Sequence, residues 1–249
     1  MNKELRDVFP TEFYGIKTEI INHQIWGAPA NALIVRLPEA TDMLSSREGF
    51  KTIKTACNCY LPKSVCREFD TSPDAWNRYL KEVLNEAKSS ADEATTLSTG
   101  VSMDFLSWQE EKFDELWVVA LVTAGVSTNA MRVGKDKASG VQRNGQFEKI
   151  GTINSILLTS AELELTAMAA SFITITEAKN IALQEMDVRS TVNPEWQATG
   201  TGTDEIMVIS GKGNKYAYVG GHTKIGELMA KAVTSATVCA IEKNFGNDR

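Results

Sequence analysis

Residues 198–204 read Ala-Thr-Gly-Thr-Gly-Thr-Asp, three threonines alternating with two glycines and ending on an acid. Glycine lets backbone approach a ligand closely and takes positive φ without strain. Each threonine hydroxyl both donates and accepts. Followed by the apolar run Ile206, Met207, Val208 and Ile209, the segment reads either as a floor for the polar groups of a bound molecule or as a Gly/Thr-rich turn before a strand. Other polar motifs sit where strands are expected to end: Thr123–Asn129, Gly151–Asn154 and Gly220–Thr223. Loops at strand ends are where a rigid scaffold mounts functional groups. His222 follows two glycines and precedes a helix, a place that suits an accessible proton carrier or a simple cap. His23, the other histidine, lies in a polar stretch and reads as a surface residue. Glu177 fits a capping role, Lys179 a solvated face and Thr152 ordinary strand polarity.

Cys57, Cys59 and Cys66 lie close together, but their Cys-x-Cys-x6-Cys spacing has no nearby histidine and matches none of the usual zinc pairings. On a strand through Thr55–Tyr60, Cys57 and Cys59 point the same way, as small core residues would. Cys239 falls on the apolar face of the last expected helix. The pattern is that of a reduced protein. No Gly-x-Ser-x-Gly elbow, Gly-x-Gly-x-x-Gly turn or phosphate loop is present.

The elements that must position these groups follow from patterning. The 249 residues are 43% hydrophobic and 23% charged, the balance of a soluble globular chain, with a net charge of −6. That charge argues against a nucleic-acid footprint. The apolar runs are far shorter than the roughly 20 residues of a membrane helix. The absence of an apolar segment after Met1 predicts a cytoplasmic protein. Strands are expected over Phe13–Ile20, Ala32–Leu37 and Phe50–Tyr60, and a helix over Pro73–Ala87 with Ser72 as cap. Residues 88–99 read as a connection. Leu116–Val122 reads as a strand buried on both faces, followed by a polar segment carrying Asn129, Arg132 and Asp136. A strand over Ile150–Thr159 leads to a helix starting near Ser160 and Glu162, and then to a second helix capped by Thr174 and Glu177. Ile206–Ser210 and Lys215–Gly220 flank Gly211-Lys212-Gly213-Asn214, which has the chemistry of a hairpin turn. The last helix buries Ile225, Leu228, Met229, Ala232, Ala236, Cys239 and Ala240. The whole predicts a single α+β domain, a layered α/β sandwich of mixed and antiparallel sheets covered by helices.

Taken together, the motifs Val122-Thr-Ala-Gly-Val126, Asn129-Ala-Met-Arg-Val-Gly134, Gly151-Thr-Ile-Asn154, Thr176-Glu-Ala-Lys179, Ala198–Asp204 and Gly221-His-Thr-Lys-Ile-Gly226 resemble the adenosylcobinamide amidohydrolase family in content and order. The match is strongest over residues 116–240. Leu44-Ser45-Ser46 also resembles a family element, but Arg47-Glu48-Gly49-Phe50 replaces the glycine-rich continuation. The resemblance implies removal of aminopropanol from adenosylcobinamide to leave adenosylcobyric acid, a salvage step toward coenzyme B12. It leaves two alternatives, a complete corrinoid as substrate and a corrinoid-binding protein without turnover.

Cleaving an unactivated amide needs a nucleophile or activated water, donors for the oxyanion and an acid for the leaving amine. His222 is the candidate proton carrier, with Asp204 to orient it or activate water. Thr152 is a second candidate nucleophile, internal or freed by self-cleavage after Gly151. Ser127, Asn129, Arg132, Asn154, Glu177, Lys179, Thr199, Thr201 and Thr203 are candidate substrate-binding residues. The small-molecule corrinoid is the one expected partner. With two histidines and no His-x-x-x-His pair, neither metal nor other cofactor is expected.

Overall fold

Alternating apolar residues near the start of the chain form strands, and tight turns set their register. The computed structural model describes residues 5–10, 13–72, 74–138 and 152–245. The chain forms two units, Met1–Thr41 with Thr52–Asp104, and Asp42–Lys51 with Phe105–Arg249.

In the first unit, β1 (Leu5–Asp7) pairs antiparallel with β2 (Lys17–Ile25), which pairs in turn with β3 (Ala28–Ser45). Trp26 (φ 48°) and Gly27 (φ 81°) make the two-residue turn of that hairpin. Positive φ at both positions matches the right-handed twist of the flanking strands. β2 begins only at Lys17, because Tyr14 (φ 53°) and Gly15 (φ 72°) form a turn inside the run expected from Phe13. β4 (Gly49–Tyr60) follows, then the helices α1 (Lys63–Thr71) and α2 (Ala75–Glu86). β5 (Ala94–Thr99) runs parallel to β4, with Thr55 opposite Ala94. Cys57 and Cys59 are buried with Ile25, Ile34, Val65, Tyr79 and Val83, as core residues.

Two expectations are corrected here. Residues 88–99 do not all form a connection, since β5 occupies 94–99; its Thr95, Thr96 and Thr99 are β-branched and suit a strand despite their polarity. Ser72 ends α1, its N–H donating to Glu68 O, and Asp74 is the cap residue of α2. Pro73 lies outside the described residues.

The second unit holds β6 (Ser107–Phe113), β7 (Leu116–Ala124), β8 (Ile153–Thr159), β9 (Glu162–Leu163), α3 (Leu165–Glu185), β10 (Glu205–Ile209), β11 (Lys215–Tyr216) and α4 (Lys224–Phe245). Its strands lie in the order β3 end, β10, β8, β7, β6. β8 and β10 are parallel, with Glu205 opposite Asn154, and α3 is the crossover between them. β7 is antiparallel to β8, so its last residue, Ala124, faces Ile153 at the start of β8. α3 and α4 cover one face, packing Ala167, Ile175, Leu183, Leu228, Met229 and Val233 on Val118, Ala120, Ile153, Leu157 and Val208. Mixed sheets with packed helices are the α+β class. Among the described residues no helix is long and apolar enough to cross a membrane.

One helix replaces the two expected after β8. Thr174 sits inside α3, buried, and its hydroxyl donates to Val219 O at 3.0 Å instead of starting a helix. Ile181 is exposed, whereas Ala178 and Ala182 are buried. Ser160 does not start α3 either, because Glu162–Leu163 is taken by pairing with β11. The expected hairpin across Gly211–Asn214 is also absent: β10 lies between β8 and β3. At Gly211 and Gly213 a Cβ would run into Ser160 O, so this glycine loop is shaped by close approach to β8.

Without a capping box, Glu177→Ala will change unfolding free energy by no more than about 0.5 kcal/mol, whereas Leu157→Ala, with a fully buried side chain, will cost about 2–5 kcal/mol in denaturant titration. At the start of α4, hydrogen bonds from Lys224 and Lys231 pull Glu227 down from 4.5 to about 2, and Glu227 raises Lys231. A lowered acid stabilises the fold above its unfolded value and loses that contribution as pH falls through its folded value. The thermal stability difference between the native chain and Glu227→Gln will therefore be constant above pH 4.5 and vanish as pH falls toward 2.

Candidate functional site

The ends of β7, β8 and β10 that meet at Ala124, Ile153 and Glu205 carry a cluster built around Asp204. Four donors converge on its carboxylate. Oδ1 accepts from Ile153 N at 3.1 Å, Thr201 N at 3.2 Å and Thr201 Oγ1 at 2.5 Å. Oδ2 accepts from Lys179 Nζ at 2.5 Å. Lys179 reaches it from α3, and the two side chains are only 9% and 13% exposed. The backbone passes so close over this ion pair that a Cβ on Gly200 would collide with Asp204 Oδ2 and crowd Lys179 Nζ. Gly202 has φ +78°, and a Cβ there would meet Met131 Sδ at 2.5 Å. Both glycines of the Gly/Thr segment are thus required by geometry.

The neighbouring motifs tie into the same cluster. Thr152 Oγ1 donates to Thr203 O at 2.5 Å, and Gly125 N donates to Thr152 O at 3.1 Å. Met131 and Gly200 form an isolated antiparallel bridge, with Met131 N donating to Gly200 O at 2.8 Å and Thr199 N returning a bond to Met131 O at 2.9 Å. Thr199 Oγ1 accepts from Val133 N at 2.9 Å. Arg132 Nη1 donates to Gln197 O at 3.2 Å. Asp136 Oδ2 accepts from Arg132 N at 2.6 Å and Ser190 Oγ at 2.7 Å. From the other side of β10, Ser46 Oγ accepts from Ile206 N, and Arg47 pairs with Glu205 at 2.9 Å.

Of the expected site residues, Thr152, Lys179, Thr199, Thr201, Thr203 and Asp204 are brought together here, and Arg132 braces the loop beside them. Asn154 is fully buried in β8 between Thr123 and Glu205, and Asn129 is buried in the loop after β7. Ser127 is exposed in that loop, and Glu177 is exposed on α3. Trp196 is half-buried, with Lys135 Nζ 5.5 Å from its ring centre. Gly151 lies outside the described residues, so the self-cleavage point does too.

His222 is elsewhere. It is exposed in the turn before α4, where Thr223 Oγ1 caps the helix by accepting from Gly226 N at 3.1 Å. Lys224, at that end of α4, lies 5.0 Å from the Phe113 ring at the start of the β6–β7 turn. Asn244, at the other end, donates to Ala124 O at 2.9 Å beside the Asp204 cluster. The 22 residues between span about 33 Å. The expected Asp204–His222 relay is therefore not formed, because α4 carries His222 to the opposite end of the sheet. A cavity of about 510 Å³ lined by Glu115, Ser160, Lys212, Asn214 and Tyr216 also lies away from Asp204, where β7 begins and β8 ends.

Sequence reading missed the Arg47–Glu205 pair and the pairing of Lys179 with Asp204. Neither spacing carries a local signal. Asp136, read only as part of the polar segment, stands four residues after Arg132 and accepts from its backbone N–H.

Comparison with known proteins fits this geometry to a family. Residues 16–248 match the adenosylcobinamide amidohydrolase family. The chain belongs to it. An adenosylcobinamide amidohydrolase of Methanosarcina mazei is 30% identical over 72% of this chain and 80% of its own length. An uncharacterized protein of Methanocaldococcus jannaschii is 42% identical over 85% of this chain and 86% of its own. The crystal structure of the PH0078 protein from Pyrococcus horikoshii aligns at a TM-score of 0.46 and 10% identity, covering 92% of this chain and 84% of that one. The adenosylcobinamide amidohydrolase family is one of hydrolases acting on an amide, and the corrinoid in its name is the substrate class it implies here.

Removing one partner of a buried ion pair strands the other charge. Lys179→Met will cost about 3–5 kcal/mol in chemical denaturation, and adding Asp204→Leu to that variant will restore part of the loss.

Proposed function

We propose that this protein hydrolyses the aminopropanol amide of adenosylcobinamide at the Asp204 cluster, giving adenosylcobyric acid for salvage into coenzyme B12 synthesis. One observation carries the reading. Five of the six motifs that resemble the family, read as separate segments of sequence, are joined by hydrogen bonds into one polar cluster through Gly125, Met131, Thr152, Lys179 and Asp204. Val133 and Val192, 65% and 64% exposed, flank it. Their apolar surface beside fixed polar groups suits a macrocycle edged with amides.

In the reaction water adds to the amide carbonyl, the C–N bond breaks, and the proton from water passes to the departing amine. The cluster's part is to hold the amide in place, and the backbone N–H of the exposed Gly202 is the candidate donor to the developing oxyanion. Thr152, hydrogen-bonded through its hydroxyl to Thr203 O, acts here as a brace in the intact chain. With neither a His-x-x-x-His pair nor a zinc-type cysteine spacing in the sequence, the proposal includes turnover without added metal.

Incubation of the purified chain with adenosylcobinamide will yield equimolar adenosylcobyric acid and aminopropanol by mass spectrometry, before and after exhaustive chelation. The protein will retain the mass of one uncut chain. His222→Ala will keep kcat within about threefold of the native value, because His222 is remote from the cluster. Recovery of tightly bound but unchanged corrinoid would replace this reading with that of a non-catalytic binding protein.

A further inference from the structure

The loop that carries the exposed Val192 also carries an aromatic ring. Trp196 stands four residues before Gly200, so at most about 14 Å of chain separates it from the residue packed over the Lys179–Asp204 pair. Its backbone is fixed, with Trp196 N donating to Asn193 O at 3.0 Å and Trp196 O accepting from Ser190 N at 2.9 Å. The ring is half-buried. Lys135, exposed on the loop after β7, holds its ammonium 5.5 Å from the ring centre. That loop is fixed as well: Lys135 N and Asp136 N both donate to Arg132 O, and Ser190 Oγ donates to Asp136 Oδ2 at 2.7 Å, which ties the two loops together. An aromatic face attracts a cation through its quadrupole, weakly at an exposed site and more strongly where water is excluded. The Trp196 face is therefore a cation site that the protein's own lysine occupies.

The ligand of the proposed reaction is itself a cation. Trivalent cobalt, a monoanionic corrin ring and a formally carbanionic adenosyl carbon leave one net positive charge on a broad, flat macrocycle. We infer that Trp196 receives the face of the corrin ring, and that Lys135 is its internal competitor, leaving the indole as the macrocycle stacks. The inference rests on the amidohydrolase reading for the identity of the ligand, and deepens it by naming the surface that selects that ligand. A lysine ammonium is strongly hydrated and its stem is flexible, so it moves from the ring into water at little cost. The macrocycle gains both the covered indole area and the attraction of its charge for the ring. A neutral flat molecule must displace the lysine without replacing its charge, and so binds less well.

The test is the Kd of adenosylcobinamide on the full chain, read by stopped-flow quenching of tryptophan emission before turnover; the other tryptophans report in the Trp196 variants. Lys135→Ala will tighten binding about two- to fivefold, the effect of one exposed cation–π contact no longer competing. Lys135→Arg, which keeps a cation over the ring, will not tighten it, and neither will Lys137→Ala, two residues along the same loop. Trp196→Leu will weaken binding about tenfold, and Trp196→Phe will recover most of the loss. Added to Trp196→Leu, Lys135→Ala will have no further effect. If Lys135→Ala tightens binding equally with and without the indole, or Lys137→Ala matches it, the effect is one of overall charge and the inference is overturned. Weaker binding in Lys135→Ala, or an unchanged Kd in Trp196→Leu, overturns it too. A native chain that binds the corrinoid without hydrolysing it would remove the amidohydrolase reading and leave this inference to be decided by the same Kd values. A native chain that does not bind would remove both. Circular dichroism of each variant separates these results from misfolding, and the exposed Lys135 variants carry the decision if Trp196→Leu does not fold.

Discussion

The Lys179–Asp204 ion pair is the interaction on which the polar end of the second unit's sheet depends. It links the last turns of α3 to the start of β10, two elements joined in sequence by the loop 186–204. Such a loop would otherwise have wide conformational freedom, at a cost of about 1–2 kcal/mol of entropy for each residue fixed. The pair anchors the loop at its last residue, and the Met131–Gly200 bridge anchors it again four residues earlier. Gly200 follows from the same constraint. A backbone packed directly over a salt bridge has no space for a side chain, so the residue type at 200 is dictated by the pair below it.

Strand order explains why that end gathers so many polar groups. In a β8–α3–β10 crossover the two parallel strands start together and the connecting helix ends beside their starts. β7, antiparallel to β8, finishes there as well. Four chain segments thus end or begin at one edge, each with backbone groups no longer matched by the sheet. Buried N–H and C=O groups must find partners, and here the threonines and Asp204 supply several of them. The cluster is first a solution to the hydrogen-bond demands of three strand ends.

Much of this was legible in the sequence, at the level of segments. Leu116–Val122 reads as a buried strand because every residue is apolar, and β7 spans it. The apolar spacing from Ile225 to Ala240 gives α4, and the alternation of glycine and threonine marks the segment that wraps Asp204. What failed depended on partners distant in sequence. Thr174 and Glu177 satisfy the pattern of a capping box, but the local signal was overridden by continuous packing of α3 on β8 and by a bond from Thr174 to Val219. Gly211–Asn214 has hairpin chemistry, yet β10 takes both its neighbours from elsewhere in the chain. His222 and Asp204 are the sharpest case. As residue types they suit one another, and only the direction of α4 shows that it carries His222 to the other end of the sheet.

The balance of forces in the ion pair indicates what kind of work it does. Taking two charges out of water costs several kcal/mol per ion, and their attraction and hydrogen bonds barely offset that cost in many proteins. A pair of apolar residues at 179 and 204 would hold α3 against β10 at least as firmly. They would not orient the Thr201 hydroxyl, nor take up the N–H of Ile153 at the start of β8. An apolar contact is indifferent to direction, whereas an ionised acceptor fixes the direction of every donor around it. The surplus donors on Asp204 therefore argue that the pair is suited to specifying a single arrangement of protons at the surface of the cluster. That is a property that stability alone does not require.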